Sequence, residues 1–249
     1  MKISIITICF NSAQYLEQTI RSVTGQTYAD REYIVIDGGS TDGTVDIVRK
    51  YEDKIDKWIS EPDHGIADAM NKGLAMANGD YVIFIHSDDY FVDANVISTA
   101  VSYMSEEQDV YLFDIFLEKN GERKLHRPRG FNWWMNLKTG VFHQSVICRR
   151  DLFEQIGYFD TSFKITMDYD FFLRAYWAGV RAKKIAFPLS VMRLVGISSR
   201  CDWLGLRQRL AEERRCHRKN CPSPATGLLY RLYWYFYPAI KFSRSKMRF

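Results

Sequence analysis

Along the first hundred residues, two kinds of apolar pattern alternate. Lys2–Ile8 is a β-branched run that predicts a strand, and it ends in the polar stretch Cys9–Ser12. Across Ala13–Val23 the apolar positions Tyr15, Leu16, Ile20 and Val23 recur at helical spacing, and Gly25 supplies a stop. The alternation continues with a strand at Glu32–Ile36, a helix at Thr44–Tyr51 and a short strand at Asp56–Ser60. A third helix at Ile66–Ala77 closes on Asn78-Gly79 and leads into a buried strand at Tyr81–His86. This order predicts an α/β fold with a parallel sheet covered by helices. In such sheets ligands bind beyond the carboxyl ends of the strands. Polar residues fall at those ends: Thr7–Asn11, Asp37–Ser40 and Asp88-Asp89.

The second half is less regular. Asp93–Met104, Arg150–Ile156 and Asp168–Ala178 predict helices; Val110–Leu117, Phe142–Cys148 and Ala182–Phe187 predict strands; Gly121 marks a turn. Residues 227–242 (GLLYRLYWYFYPAIKF) are rich in aromatics, and Pro238 is expected to break them into a segment too short and too polar to span a bilayer.

Composition limits the class. A chain of 249 residues, 47% hydrophobic, suffices for one large domain or a domain with an appendage. No run of about 18 uncharged apolar residues predicts a membrane span, and the apolar N-terminus is interrupted by Asn11, Ser12 and Gln14 too early for a secretory leader. The five cysteines lack paired metal spacing and read as reduced cytosolic thiols. Charge is uneven: residues 200–249 hold 12 Lys/Arg against 3 Asp/Glu, which leaves the body acidic. An acidic body suits a metal, and a basic tail suits an anionic surface or simply solvent.

Three constellations carry candidate chemistry. The adjacent carboxylates Asp88 and Asp89 repel one another unless a cation sits nearby. A hard divalent ion completed by phosphate and water suits them, and so does a helix N-cap role. The loop Asp37–Gly43 has glycines that let backbone approach a ligand, yet it is neither a dinucleotide fingerprint nor a P-loop, and a tight turn accounts for it equally. Asp168 and Asp170 open a predicted helix, where the macrodipole favours acids. A carboxylate there that faces a cleft also suits a general base acting on a hydroxyl.

Together, SIITICFN, VIDGGSTDGT, EPDHGIADAMNKG, YVIFIHSDDYF, FHQSVICRRDLFEQIGYFD and MDYDFFLRA resemble the family-2 glycosyltransferases, over about Met1 to Val195. The resemblance extends to bacterial enzymes of surface-polysaccharide assembly (O-antigen, capsule or exopolysaccharide). The resemblance implies a GT-A fold, with a mainly parallel central sheet flanked by helices. It also implies a nucleotide-diphospho-sugar donor (a UDP-sugar first), a divalent metal (Mg2+ or Mn2+), and transfer with inversion. It puts Thr7 and Asn11 beside the nucleotide, Asp37 where base and ribose sit, and Asp68 on a helix facing the donor. Asp88 and Asp89 match the acidic metal motif, Asp89 as the direct ligand, and Asp88 also faces the donor. Asp168 matches the catalytic base, with Asp170 its neighbour; His143 and Asp170 are candidate acceptor or phosphate contacts, and His143 reads equally as a structural histidine. Three positions depart from the pattern: Gly38 replaces a second acid, His86 an opening Asp, and Met167 a Glu before the base. The QxxRW signature of processive synthases is missing, which favours one sugar per binding event.

The expected division is a catalytic domain over 1–199, with a donor half (1–105) and an acceptor half (106–199), and a basic aromatic extension over 200–249. Its clustered cations and aromatics favour docking on the cytoplasmic face of a bacterial inner membrane, close to an acceptor on polyprenyl diphosphate; a helix packed on the domain is the other reading. No nucleic-acid partner is expected. Two other functions fit the sequence less well. A sugar nucleotidyltransferase would show a Gly-rich basic loop, and Thr7–Gln14 has neither Gly nor Lys or Arg. A non-catalytic carbohydrate- or membrane-binding module has no use for Asp88, Asp89 and Asp168.

Overall fold

Four buried strands, β1 (Ile3–Cys9), β2 (Arg31–Asp37), β3 (Lys57–Ser60) and β4 (Tyr81–Phe84), lie parallel in the order β3-β2-β1-β4. The computed structural model that shows this describes residues 1–195 and 203–246, and only the backbone at 239, 240 and 242–246. The expected domain boundary at 199/200, Cys201 and Arg248 lie outside the described residues, as do the side chains of Arg244 and Lys246. Helices α1 (Leu16–Thr24), α2 (Thr44–Lys50) and α3 (Ile66–Met76) make the crossovers.

Past β4 the sheet continues through β8 (Val146–Arg149), β6 (Val110–Lys119), β9 (Ala182–Arg193) and β5 (Tyr90–Phe91), while β7 (Glu122–His126) pairs with β6. β5, β7 and β8 run against the others, so the sheet is mostly parallel. Helices α4 (Val96–Ser102), α5 (Leu152–Ile156), α6 (Met167–Trp177), α7 (Trp203–Lys219) and α8 (Pro224–Lys246) complete the described chain.

Alternation along β1 explains the layers. Ile3 and Ile5 join the core under α1, α2 and α4, whereas Ile6 and Ile8 join the core under α3, α5 and α6. Strands buried on both faces read as continuous apolar runs, which is why the sequence shows them so clearly. Gly73 lets α3 come close: a Cβ there would lie 2.5 Å from Ile6 Cγ2.

Three elements differ from expectation. The stretch Phe142–Cys148 begins as a 3₁₀ turn over His143–Ser145 before β8. The strand expected at Ala182–Phe187 runs on to Arg193, with a register shift where Pro188, lacking an N–H, meets Asp114. Pro238 does not end its helix; α8 passes through it. An internal proline removes one backbone hydrogen bond and costs about 3 kcal/mol.

Candidate active site

The parallel register sets Cys9 beside Asp37 and Asp37 beside Ser60 at the carboxyl edge of the sheet. Asp37 is therefore ringed by donors. Its carboxylate accepts from Gly39 N at 3.1 Å, Ser40 N at 3.0 Å, Ser60 Oγ at 2.7 Å and Ser40 Oγ. Burial alone would raise its pKa, but these bonds outweigh it and hold the carboxylate below its ordinary range. The side chain is fully enclosed, so Asp37 shapes the loop instead of reaching a donor directly. Asn11, in the left-handed region at φ 48°, ties this loop to the one after β1: its Oδ1 accepts from Thr41 N, and its N–H donates to Ser40 Oγ. Thr7 is also misplaced by the expectation. It faces the core, where its Oγ1 accepts from Tyr33 OH at 3.1 Å, and it is fully buried. The space a side chain at Gly38 would fill is taken by the Asp63 carboxylate.

Residues 85–89 continue beyond β4 along β1, with Ile85 N and Ser87 N donating to Ile6 O and Ile8 O. Thr19 of α1 and Arg193 of β9 staple this turn. Thr19 Oγ1 donates to the carbonyls of Ser87 and Asp89, and Arg193 Nη1 donates to that of Asp88. Asp89 is 1% exposed, and its Oδ1 accepts from Arg193 N at 3.2 Å. Burial and the neighbouring Asp88 charge push its pKa well up. Asp88 is the more open of the two; burial raises it as well, against the pull of Arg193 and His143. The accessibility of the pair is thus the reverse of that expected for Asp89 as the direct metal ligand.

His86 and His143 are in contact, their rings tilted by 41° with centroids 4.3 Å apart, and His143 Nδ1 is 3.3 Å from Asp168 Oδ2. Burial and the His143 charge depress the His86 pKa, which keeps that ring neutral. Asp168 Oδ1 accepts from Tyr169 N at 2.7 Å. A line of polar side chains therefore runs from the turn after β4, through the 3₁₀ turn, to the start of α6. His86 Nε2 and His143 Nε2 are buried without a hydrogen-bond partner. No described side chain donates to the Asp88 carboxylate, and among the described residues no three His, Cys, Asp or Glu groups converge as a ready metal centre. One accessible carboxylate beside unsatisfied imidazole nitrogens fits a divalent ion held by few protein atoms and completed by a diphosphate.

The other expected residues lie further out. Asp68, in the first turn of α3, accepts from His64 N at 3.0 Å and is partly exposed. Asp170 corrects the expectation of an acceptor or phosphate contact. It is fully buried, two residues after Asp168 and so on the other side of the first turn of α6, and accepts from Arg174 Nε, Lys219 Nζ and Asn220 Nδ2 at 3.0, 3.1 and 2.9 Å. Those donors use up the carboxylate and leave no face for substrate.

Helix α7 and the first turns of α8 pack on this domain. His217 Nδ1 accepts from Trp234 Nε1 at 2.8 Å, so its Nε2 carries the proton toward Tyr169 OH, 2.6 Å away, and Tyr169 OH donates to Met135 O. Burial lowers the His217 pKa to about 4, consistent with this neutral tautomer. Leu206, Leu210, Tyr230 and Trp234 form a small core between α7 and α8. The opposite face of α8 is open: Leu228, Leu232, Tyr235 and Phe236 are 54–79% exposed. Among the described residues no helix is long and apolar enough to cross a membrane.

Sequence reasoning missed Asp63, the engagement of His86 with His143, and Arg193. Only His86 carried a signal, as a histidine in place of an acid; Asp63 and Arg193 gain their significance from contacts distant in sequence.

Comparison with known proteins places the chain. The model of Glycosyl transferase family 2 matches residues 4–173, more than two thirds of the sequence. The chain belongs to that family and is a glycosyltransferase, and its fold is of the GT-A type. An uncharacterized glycosyltransferase of Mycobacterium tuberculosis is 39% identical over 178 residues, 70% of this chain and 68% of that protein. S. aureus TarS 1–349, solved with UDP-GlcNAc, shares the fold at TM-score 0.66 and 24% identity, over 78% of this chain and 58% of that one. The mannosyltransferase of Pyrobaculum calidifontis, solved with GDP-Man and Mn2+, shares it at TM-score 0.64 and 21% identity, over 86% of this chain and 64% of that one.

Proposed function

We propose that this chain is an inverting, non-processive transferase that moves one sugar from a nucleotide-diphospho-sugar, a UDP-sugar first, to a hydroxyl of a saccharide acceptor. The observation that carries the reading is the His143–Asp168 pair, 3.3 Å apart, meeting the Asp88 turn through His86 at the carboxyl edge of the sheet. The nucleotide-sugar complexes of the two fold neighbours support the donor class, and Mn2+ in one supports the metal.

In this reading the loops after β1 and β2, joined through Asn11 and braced by Asp37, wall the nucleotide, and Asp68 borders the same space from α3. Asp88 would hold a divalent cation, which would supply positive charge against the departing diphosphate. Asp168 Oδ2 takes the proton of the acceptor hydroxyl, whose oxygen bonds to the anomeric carbon from the opposite face. The bond from that carbon to the diphosphate oxygen breaks, and the electron pair leaves with the diphosphate. His143 orients Asp168 through its Nδ1 contact.

The same proposal seats α8 on the membrane. Leu228, Leu232, Tyr235 and Phe236 recur at i, i+4, i+7 and i+8, one stripe of the helix, and the packed Tyr230 and Trp234 face the other way. With the net-basic segment 200–249, such a stripe suits an anionic headgroup layer. Docking there, on the cytoplasmic face of a bacterial inner membrane, brings the site to a polyprenyl-diphosphate-linked acceptor of surface-polysaccharide assembly.

The test is release of nucleoside diphosphate from UDP-glucose, UDP-N-acetylglucosamine and GDP-mannose, with and without Mn2+. Metal-dependent turnover of one donor, stimulated by a saccharide acceptor, supports the reading. Synthesis of a nucleotide sugar from a nucleoside triphosphate and a sugar phosphate would replace it with the nucleotidyltransferase reading.

A further inference from the structure

Asp168 is the second residue of α6, so its position depends on where and how that helix begins. Helix starts leave backbone N–H groups without partners, normally met by the side chain of the N-cap residue. Here Thr166 occupies the N-cap, but its side chain makes no capping bond. A carboxylate 46 residues further along the chain instead holds the turn that leads into the helix, the N-cap amide included. Glu212 of α7 accepts from Lys164 N at 3.1 Å, Ile165 N at 2.8 Å, Thr166 N at 3.1 Å and Thr166 Oγ1 at 3.3 Å. Three successive amides wrapped around one anion form a backbone nest, and the positive end of α6 adds to the attraction.

The rest of α7 grips the same segment. Arg215 stacks over Phe163, 4.0 Å from the ring centre, and donates to Ser162 O at 2.7 Å. Lys219 reaches Asp160 at 2.8 Å and Asp170 at 3.1 Å. His217 meets Tyr169, the residue after Asp168. None of these α7 residues lies within the stretch matched by the family, which ends at 173.

We propose that Glu212 is a positioning residue for the transfer reaction, acting through α6 by fixing the turn that carries Asp168. This rests on the reading of Asp168 as the base. A carboxylate tied into that turn keeps Asp168 Oδ2 toward His143 and the acceptor. Without it, residues 164–166 lose their common acceptor and the first turn of α6 unwinds.

The experiment compares Glu212→Ala, Glu212→Gln and Asp168→Asn with the full chain. It measures nucleoside-diphosphate release from the best donor of the three above, donor affinity by calorimetry, and amide exchange. Glu212→Ala is expected to lower kcat at least about tenfold with donor affinity within about twofold, since a displaced base costs rate but not donor contacts. Exchange should quicken in peptides covering 160–173 and nowhere else. Glu212→Gln, which keeps an acceptor oxygen, should recover most of the rate. A Glu212→Ala enzyme with unchanged kcat despite faster local exchange overturns the proposal, as does a loss of donor affinity and exchange protection throughout the chain. Full turnover by Asp168→Asn defeats the base assignment itself; impaired Asp168→Asn beside unimpaired Glu212→Ala defeats only the positioning role.

Discussion

Replacing Asp37 by Asn separates a residue that builds the donor loop from one that binds the donor. The Asp37 carboxylate is fully enclosed and receives two backbone amides and two serine hydroxyls. Asn keeps one oxygen for the Gly39 and Ser40 amides and Ser60, and turns its NH2 toward Ser40 Oγ and Cys9 Sγ. The bonds survive in number but lose their charge assistance; with each charged bond worth about 1.5–3 kcal/mol, the change costs about 2 kcal/mol. Ala removes the acceptor altogether and leaves the partly buried Gly39 and Ser40 amides without it, at about 2–4 kcal/mol. The pKa of Asp37 is held down in the fold, burial being outweighed by Ser40, Ser60 and Gly39. A depressed carboxylate contributes stability above its unfolded value of about 3.9 and loses it as pH falls through the folded value. Urea unfolding at pH 7 should therefore show the wild type ahead of Asn by about 2 kcal/mol, with the gap closing below about pH 4. An Asn variant within about 0.5 kcal/mol of wild type at pH 7, yet weakened in binding UDP, would refute the argument and return Asp37 to direct donor contact.

If Asp168 is the base proposed above, Asp168→Asn should cut kcat by about 10²–10⁴ while calorimetry shows donor binding retained, because a base there handles only the acceptor proton; donor affinity falling in step with rate would make it a binding residue. Asp88→Asn should remove the Mn2+ dependence of turnover with little change in unfolding midpoint. By contrast, Asp89→Ala should destabilise the fold by about 1–3 kcal/mol by stranding Arg193 N. The opposite pattern, read by metal titration and urea unfolding, would restore Asp89 as the direct ligand. Leu232→Glu with Phe236→Glu should abolish salt-sensitive sedimentation with anionic liposomes while leaving donor hydrolysis in solution unchanged; equal sedimentation of variant and wild type would rule out the α8 stripe.

The strands and helices of the first hundred residues were legible because their causes are local. Apolar runs buried on both faces, helical spacing in Leu16–Val23, and glycines after Asp37 act within a few residues, so their signature lies in neighbouring letters. The family was legible for the same reason: its motifs are strand-end loops, each contiguous. Which polar residue faces the cleft was not legible, because that depends on register and on contacts far along the chain. Asp37 and Asp170 look alike as exposed acids in sequence. The parallel register seats Asp37 among Gly39, Ser40 and Ser60, and α7 brings Lys219 and Asn220 onto Asp170, so both are spent on structure. Thr7 turns inward because β1 alternates, and the parity of one residue decides its face. The basic aromatic tail showed composition but not partition: only packing decides that Tyr230 and Trp234 are buried while Leu232 and Tyr235 face outward. His86, His143 and Asp168 span 82 positions of sequence, and only the folded sheet brings them side by side.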